Sequence, residues 1–245
     1  MTLPENSTAP GADSSSAGAV PTSFDHVALW VADRGPIVDL LCGHLGMHVI
    51  DATDAFSLVG ADARRGKITL FDAPGPRDPG VLGRVALRVA DLDAALAALP
   101  DDLAVERDGD EARFEAREGL RLALVEVPGT DVDYDLDHVT LRVSDVGQVA
   151  EGLARLGLER HGDRLTVAGK EIRLEGGGAR EGDRPLLNHL AVLVDSAAEA
   201  EAGARRRGDE IAAVVDAANT LAVFVWGPDR IKLEYVEHKP GFALA

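Results

Sequence analysis

Four stretches of the chain alternate apolar and polar residues with a period of two. They are FDHVALWVAD from Phe24, LGRVALRVAD from Leu82, LDHVTLRVSD from Leu136 and LNHLAVLVDS from Leu187. This spacing predicts half-buried β-strands. Each is followed by a helix-like run: PIVDLLCGHLG, LDAALAALP, VGQVAEGLARLG and AAEAEAGARRRG. Asp or Ser just before these runs is expected to cap them, and Gly closes three of the four. Two or three further strands follow each helix. The last is the most regular: KITLFDA, LRLALVE, EIRLEGG and RIKLEYVE. The chain is thus a fourfold repeat of a strand, a helix and about three strands, each roughly 50 residues long. One such unit is too small to cover its own sheet, so units are expected to pair. Pairing in chain order predicts two domains, residues 23–128 and 129–245, with PGTDVDYD (128–135) as the linker.

The same period says which side chains share a face. With the bulkier apolar side turned to the helices, His189, Ala191 and Leu193 point the other way, into a cup, with Lys232, Glu234 and Val236. His138, Thr140 and Arg142 do likewise in the third unit, with Arg173 and Glu175. Across the four units the first-strand position holds His26, Arg84, His138 and His189. The last-strand position holds Phe71, Ala123, Glu175 and Glu234. Ligand-type residues therefore concentrate in the C-terminal half. Imidazole and carboxylate together suit Fe(II), Mn, Ni, Co or Zn, and two His with one carboxylate leave a metal open on one side. His26, lined up only with Arg84, Phe71 and Ala123, is expected to be structural or a relic of duplication.

These repeats and positions resemble the vicinal oxygen chelate superfamily, which includes glyoxalase I, methylmalonyl-CoA epimerase, drug-resistance proteins and extradiol ring-cleaving dioxygenases. The resemblance covers residues 23 to 238. It implies an α+β fold of four βαβββ units, paired into two open curled sheets with helices outside. The layout is similar to two-domain extradiol dioxygenases, which implies His138, His189 and Glu234 as ligands of a divalent metal, Fe(II) first among them. VFVWGPDRIKLEY resembles the family's segment around the ligand Glu, with Pro228 six residues before it. The family has Tyr where this chain has Phe224, and a catalytic His near Glu175. Glu175 is the candidate general base in its place. A second reading takes His138, Glu175, His189 and Glu234 as four ligands, an order similar to glyoxalase I, and implies a lyase or isomerase. A third is metal-free sequestration of a small molecule. Phe224 and Trp226 are candidates to stack on a ring substrate, and Arg142 to hold an anionic group.

Composition narrows the partners. The net charge of −17 disfavours nucleic acids and anionic membranes. No run of 18 apolar residues is present. Residues 1–22, rich in Ser, Ala, Gly and Pro, are expected to be a disordered tail without a signal peptide's apolar stretch. Cys42 is the single cysteine, so no internal disulfide forms. A cytoplasmic protein acting on a small molecule is expected, with self-association into a homo-oligomer left open. His238 is placed to approach the cup from the C-terminal tail, His161 reads as a turn residue, and Asn188 as structural.

Overall fold

The computed structural model describes residues 19–178 and 184–242. Residues 1–18 of the expected tail lie outside them. The four repeats are realised as written. The first contains β1 (Ser23–Val31), α1 (Gly35–His44), β2 (His48–Ala52), β3 (Phe56–Gly60) and β4 (Lys67–Asp72). The second contains β5 (Leu82–Val89), α2 (Leu92–Ala97), β6 (Val105–Asp108), β7 (Glu111–Glu115) and β8 (Arg121–Glu126). The third contains β9 (Leu136–Val143), α3 (Val146–Arg155), β10 (Glu159–His161), β11 (Arg164–Val167) and β12 (Lys170–Gly176). The fourth contains β13 (Leu187–Leu193), α4 (Ala197–Arg207), β14 (Ile211–Asp216), β15 (Thr220–Trp226) and β16 (Lys232–His238). No described helix is long and apolar enough to cross a membrane.

The caps form at three helices. Asp91, Asp145 and Ser196 accept from Ala94 N, Gln148 N and Glu199 N, each worth about 1 kcal/mol. The first helix has Arg34 at its N-cap with no side-chain bond, and Pro in its first turn.

The pairing differs from chain order. Strands run β14-β15-β16-β13-β1-β4-β3-β2 in one eight-stranded sheet and β10-β11-β12-β9-β5-β8-β7-β6 in the other. Unit one therefore shares a sheet with unit four, and unit two with unit three. The expected boundary at 128/129 falls inside the second sheet. The reason lies in the stretch read as a linker. Tyr134 N donates to Arg88 O at 2.7 Å, Arg88 N to Asp135 O at 2.8 Å, and Ala90 N to Asp133 Oδ1 at 2.7 Å. This stretch folds back along β5 and delivers β9 antiparallel beside it. β1 and β13 are then left to pair with each other.

Consecutive units meet by other means. Glu118 and Asp229 occupy tight turns at φ 63° and 52°. The Glu118 carboxylate accepts from Ala32 N and Asp33 N, both at 2.7 Å. The Asp229 carboxylate accepts from Ser144 N at 2.6 Å and Ser144 Oγ at 2.7 Å. Buried Tyr235 donates its hydroxyl to Leu156 O at 2.6 Å. The helix-facing sides of both sheets thus join in one contiguous aliphatic core, including Val27, Leu29, Leu87, Val139, Leu190 and Leu233. Burying each of these side chains contributes about 1.5–3 kcal/mol. The opposite faces of the two sheets are left as two separate cups.

Candidate metal centre

In the first sheet, β13 lies between β1 and β16, and Ala191 is in register with both His26 and Glu234. His189 is in register with Ala28. Two alanines thus floor the cup where larger side chains would fill it, and two imidazoles and one carboxylate frame the space. His26 Nε2 and His189 Nε2 are 3.1 Å apart. Glu234 Oε2 lies 2.8 Å from His189 Nε2 and 3.3 Å from His26 Nε2. Despite those distances, Glu234 Oε2 is buried and makes no aligned hydrogen bond among the described residues.

That geometry fits a metal. Donors about 2.1 Å from one ion and at right angles to each other stand roughly 3.0 Å apart. The three separations seen here scatter about that figure, and the ring nitrogens do not aim at the carboxylate. His26, His189 and Glu234 also form the one three-residue group of ligand type among the described residues. Two nitrogen donors and one carboxylate match the chemistry of Fe(II), Mn, Co, Ni or Zn.

The groups behind the ligands fix which nitrogen faces the cup. His26 Nδ1 donates to Asp25 at 2.8 Å, and His189 Nδ1 lies 3.1 Å from the Asn188 side-chain oxygen. Holding each Nδ1–H leaves Nε2 for a metal, and such partners raise ligand basicity. Asn188, expected to be structural, holds the His189 ring in this orientation. Asp25 sits where the β1–β13 register shifts and is itself buried. Buried Lys67 donates to it at 2.8 Å, and His238 lies 3.3 Å away, so His238 does approach this site.

Protonation follows from these contacts. Burial disfavours the His26 cation, but the hydrogen bond to Asp25 and the contact with Glu234 outweigh it and push His26 up to about 9. Burial lowers His189 below its usual 6.5, and Glu234 only partly offsets this. Burial would raise Glu234, yet the two histidines bring it down to about 2. With no metal present, one proton on His26 balances the Glu234 carboxylate.

The walls of this cup are aromatic. Phe224 stands opposite Glu234 in register and edge-on to His189, with centroids 5.1 Å apart. Phe71 lies 6.3 Å from His189 on the other side, against Trp30 and Phe56. Trp226 is two residues from Phe224 on the same face, with the Arg230 guanidinium 4.0 Å from its ring centre. Lys232 Nζ lies 5.6 Å from Phe224 and 5.4 Å from Trp226. The chain has only six Phe and two Trp, and this cup gathers most of them, so they serve the cup rather than the core.

Several sequence expectations are corrected. His138 lies in the other sheet, with its Nδ1 2.7 Å from Asp137 and its Nε2 3.2 Å from the Arg173 guanidinium. Both ring nitrogens are engaged and none is free for a metal. His26, expected to be structural or a relic, stands beside His189 and Glu234 instead. Glu175 pairs with Arg142 at the exposed end of the second sheet, so neither reaches His189 or Glu234. The last-strand alignment also shifts. Ala191, two residues past His189, faces Glu234; Ala28, two past His26, faces Thr69; Thr140, two past His138, faces Arg173. The true counterparts of Glu234 are Thr69 and Arg173, not Phe71 and Glu175. A two-residue slip leaves every side chain on the same face, so alternation is blind to it.

One signal for the correct pairing was present. Four residues past the first-strand His or Arg, units two and three carry Arg88 and Arg142, while units one and four carry Trp30 and Leu193. Cup faces of like polarity belong together.

Comparisons with known proteins agree with this architecture. A family model described as the glyoxalase/bleomycin resistance protein/dioxygenase superfamily matches residues 23–164, more than half of the chain. No curated protein sequence is significantly similar. Among solved structures, a candidate dioxygenase from Bacillus subtilis subsp. subtilis str. 168 superimposes with a TM-score of 0.73 at 20% identity, covering 92% of this chain and 88% of that one. Glyoxalase I from Zea mays gives 0.68 at 16% identity, covering 88% and 92%. The cppA protein from Streptococcus pneumoniae TIGR4 gives 0.61 at 13%, covering 89% and 99%. At these identities the likeness is one of fold.

Proposed function

The chain belongs to the glyoxalase/bleomycin resistance protein/dioxygenase superfamily, and within it we propose a metal-dependent enzyme of the dioxygenase kind, acting on a small aromatic substrate. One observation carries the reading. Three donors from three strands converge at 2.8–3.3 Å, and the fourth symmetric place holds Thr69 in place of a second carboxylate. Two imidazoles and one carboxylate would hold Fe(II) with positions open, and iron so held supplies chemistry with O2. A glyoxalase-type arrangement draws on a second carboxylate to shuttle a proton, and Glu175 belongs to the other sheet.

The chain's own residues take defined parts. His26, His189 and Glu234 hold the ion. Asp25 and Asn188 orient the imidazoles. Phe224 and Phe71 flank the open side and suit a planar ring. Lys232, half-buried between Phe224 and Trp226 with its pKa lowered by burial, places a positive charge where an acidic or phenolic oxygen of the substrate would lie.

Anaerobic purification followed by metal analysis tests the reading. The expected result is one iron per chain, oxygen uptake with catechol as the probe, and loss of both in His189→Ala and Glu234→Ala. Zn, Ni or Co without oxygen uptake would favour the lyase or isomerase alternative. Failure to bind any of these metals would sink the site.

A further inference from the structure

The second cup repeats the register of the first, with guanidiniums where the first has its carboxylate and its imidazole. In the first sheet, Phe224, Glu234, Ala191 and His26 lie in register across β15, β16, β13 and β1. In the second, Arg164, Arg173, Thr140 and Arg84 lie in register across β11, β12, β9 and β5. Where one cup presents a carboxylate and an imidazole, the other presents two guanidiniums on either side of a hydroxyl. Directly opposed residues on adjacent strands have Cβ atoms about 4.5–5.5 Å apart, so the three side chains can reach one common atom.

The donors are incompletely used. Arg173 donates through Nε to Glu171 at 2.7 Å and through one terminal nitrogen to His138 at 3.2 Å. Arg84 meets Glu111 through a terminal nitrogen at 3.3 Å. The Nε of Arg84 is buried without a hydrogen-bond partner among the described residues. So is the hydroxyl of Thr140, a residue only 1% exposed. Leaving such groups unpaired is costly, and two of them stand side by side. A cavity of about 310 Å³ reaches the row at Arg84 alone; Arg113, Arg121, Glu106 and Glu115 line it as well.

We infer that this second cup is an oxyanion site, in which an oxygen of a small carboxylate or phosphate accepts from Arg84 and Thr140 beside Arg173. The two-donor fork of a guanidinium matches either group. The site is independent of the metal centre: its residues belong to units two and three, and those of the metal centre to units one and four.

Thermal unfolding of the full chain tests this, with sodium phosphate, sodium malonate or sodium chloride at matched ionic strength. Because phosphate stabilises many proteins by exclusion from their surface, the decisive comparison is with Thr140→Val and Arg84→Leu. A saturable rise in Tm with phosphate, malonate or both, weakened at least tenfold in apparent affinity in both variants, supports the site. Phosphate alone, malonate alone or both then identifies the group it prefers. Thr140→Val is nearly isosteric and keeps the test alive should Arg84→Leu fold poorly. Metal content at His26, His189 and Glu234 is expected to be unchanged in both variants, which separates failure here from failure of the enzyme reading. No rise beyond chloride, or an equal rise in wild type and both variants, overturns the proposal.

Discussion

Replacing His26 with Ala separates the cross-paired sheets from pairing in chain order. In the structure His26 is one of three donors around a single point, while His138 is held by Asp137 and Arg173 in the other sheet. Structural zinc sites with four ligands bind with about 10–16 kcal/mol. Shared equally, each donor contributes about 2.5–4 kcal/mol, or roughly 100- to 1000-fold in Kd. His26→Ala should therefore weaken metal binding by about that factor. His138→Ala should leave metal affinity unchanged and instead lower stability by about 1–3 kcal/mol, because it strands the polar partners of a fully buried ring. The assay is chelator competition on anaerobically purified protein, with metal content measured by mass spectrometry and stability by urea unfolding. Metal affinity within threefold of wild type in His26→Ala, or its loss in His138→Ala, would refute the cross-paired site.

Four further outcomes are expected. Asp25→Asn removes the carboxylate behind His26 and should weaken metal binding about 10- to 100-fold, read in the same competition assay. Metal binding should tighten about tenfold per pH unit between 6.5 and 9, since the ion displaces the proton that His26 holds up to about 9; a flat titration profile would contradict this. For the metal-free protein the signs oppose each other. The raised His26 contributes stability present in full below 6.5 and lost as pH rises through 9. The depressed Glu234 contributes stability present above 4.5 and lost as pH falls through about 2. Stability from this pair should thus peak between pH 4.5 and 6.5, and denaturant titrations across pH will show it. Finally, a Cβ on Gly152 would lie 2.2 Å from Pro228 Cγ, so Gly152→Ala should destabilise by about 1–3 kcal/mol through overpacking, seen as a lower urea midpoint.

Local structure was legible along the chain because it depends on neighbours in sequence. Alternation places His189, Glu234, Phe224 and Trp226 on one concave face, and Asp91, Asp145 and Ser196 cap the helices that the pattern predicts. The four βαβββ units follow from the repeat alone, as does the cup-facing placement of His189 and Glu234, two of the three residues proposed to hold a metal. What the sequence could not decide is which unit borders which. The first strands of the four units are close to interchangeable, and any pair of them could form an antiparallel seam. Tertiary contacts decide it: the backbone of 133–135 bonds along β5 and commits unit two to unit three. His26 changes from expected relic to candidate ligand by that step alone, and His138 from candidate ligand to a ring clasped by Arg173. Strand register is the second such quantity. The matching IRLE and IKLE segments set Glu175 beside Glu234, while the hydrogen-bonded ladder sets Arg173 there. A period of two constrains the face of a side chain but not its height along the strand, and a metal site is built from both.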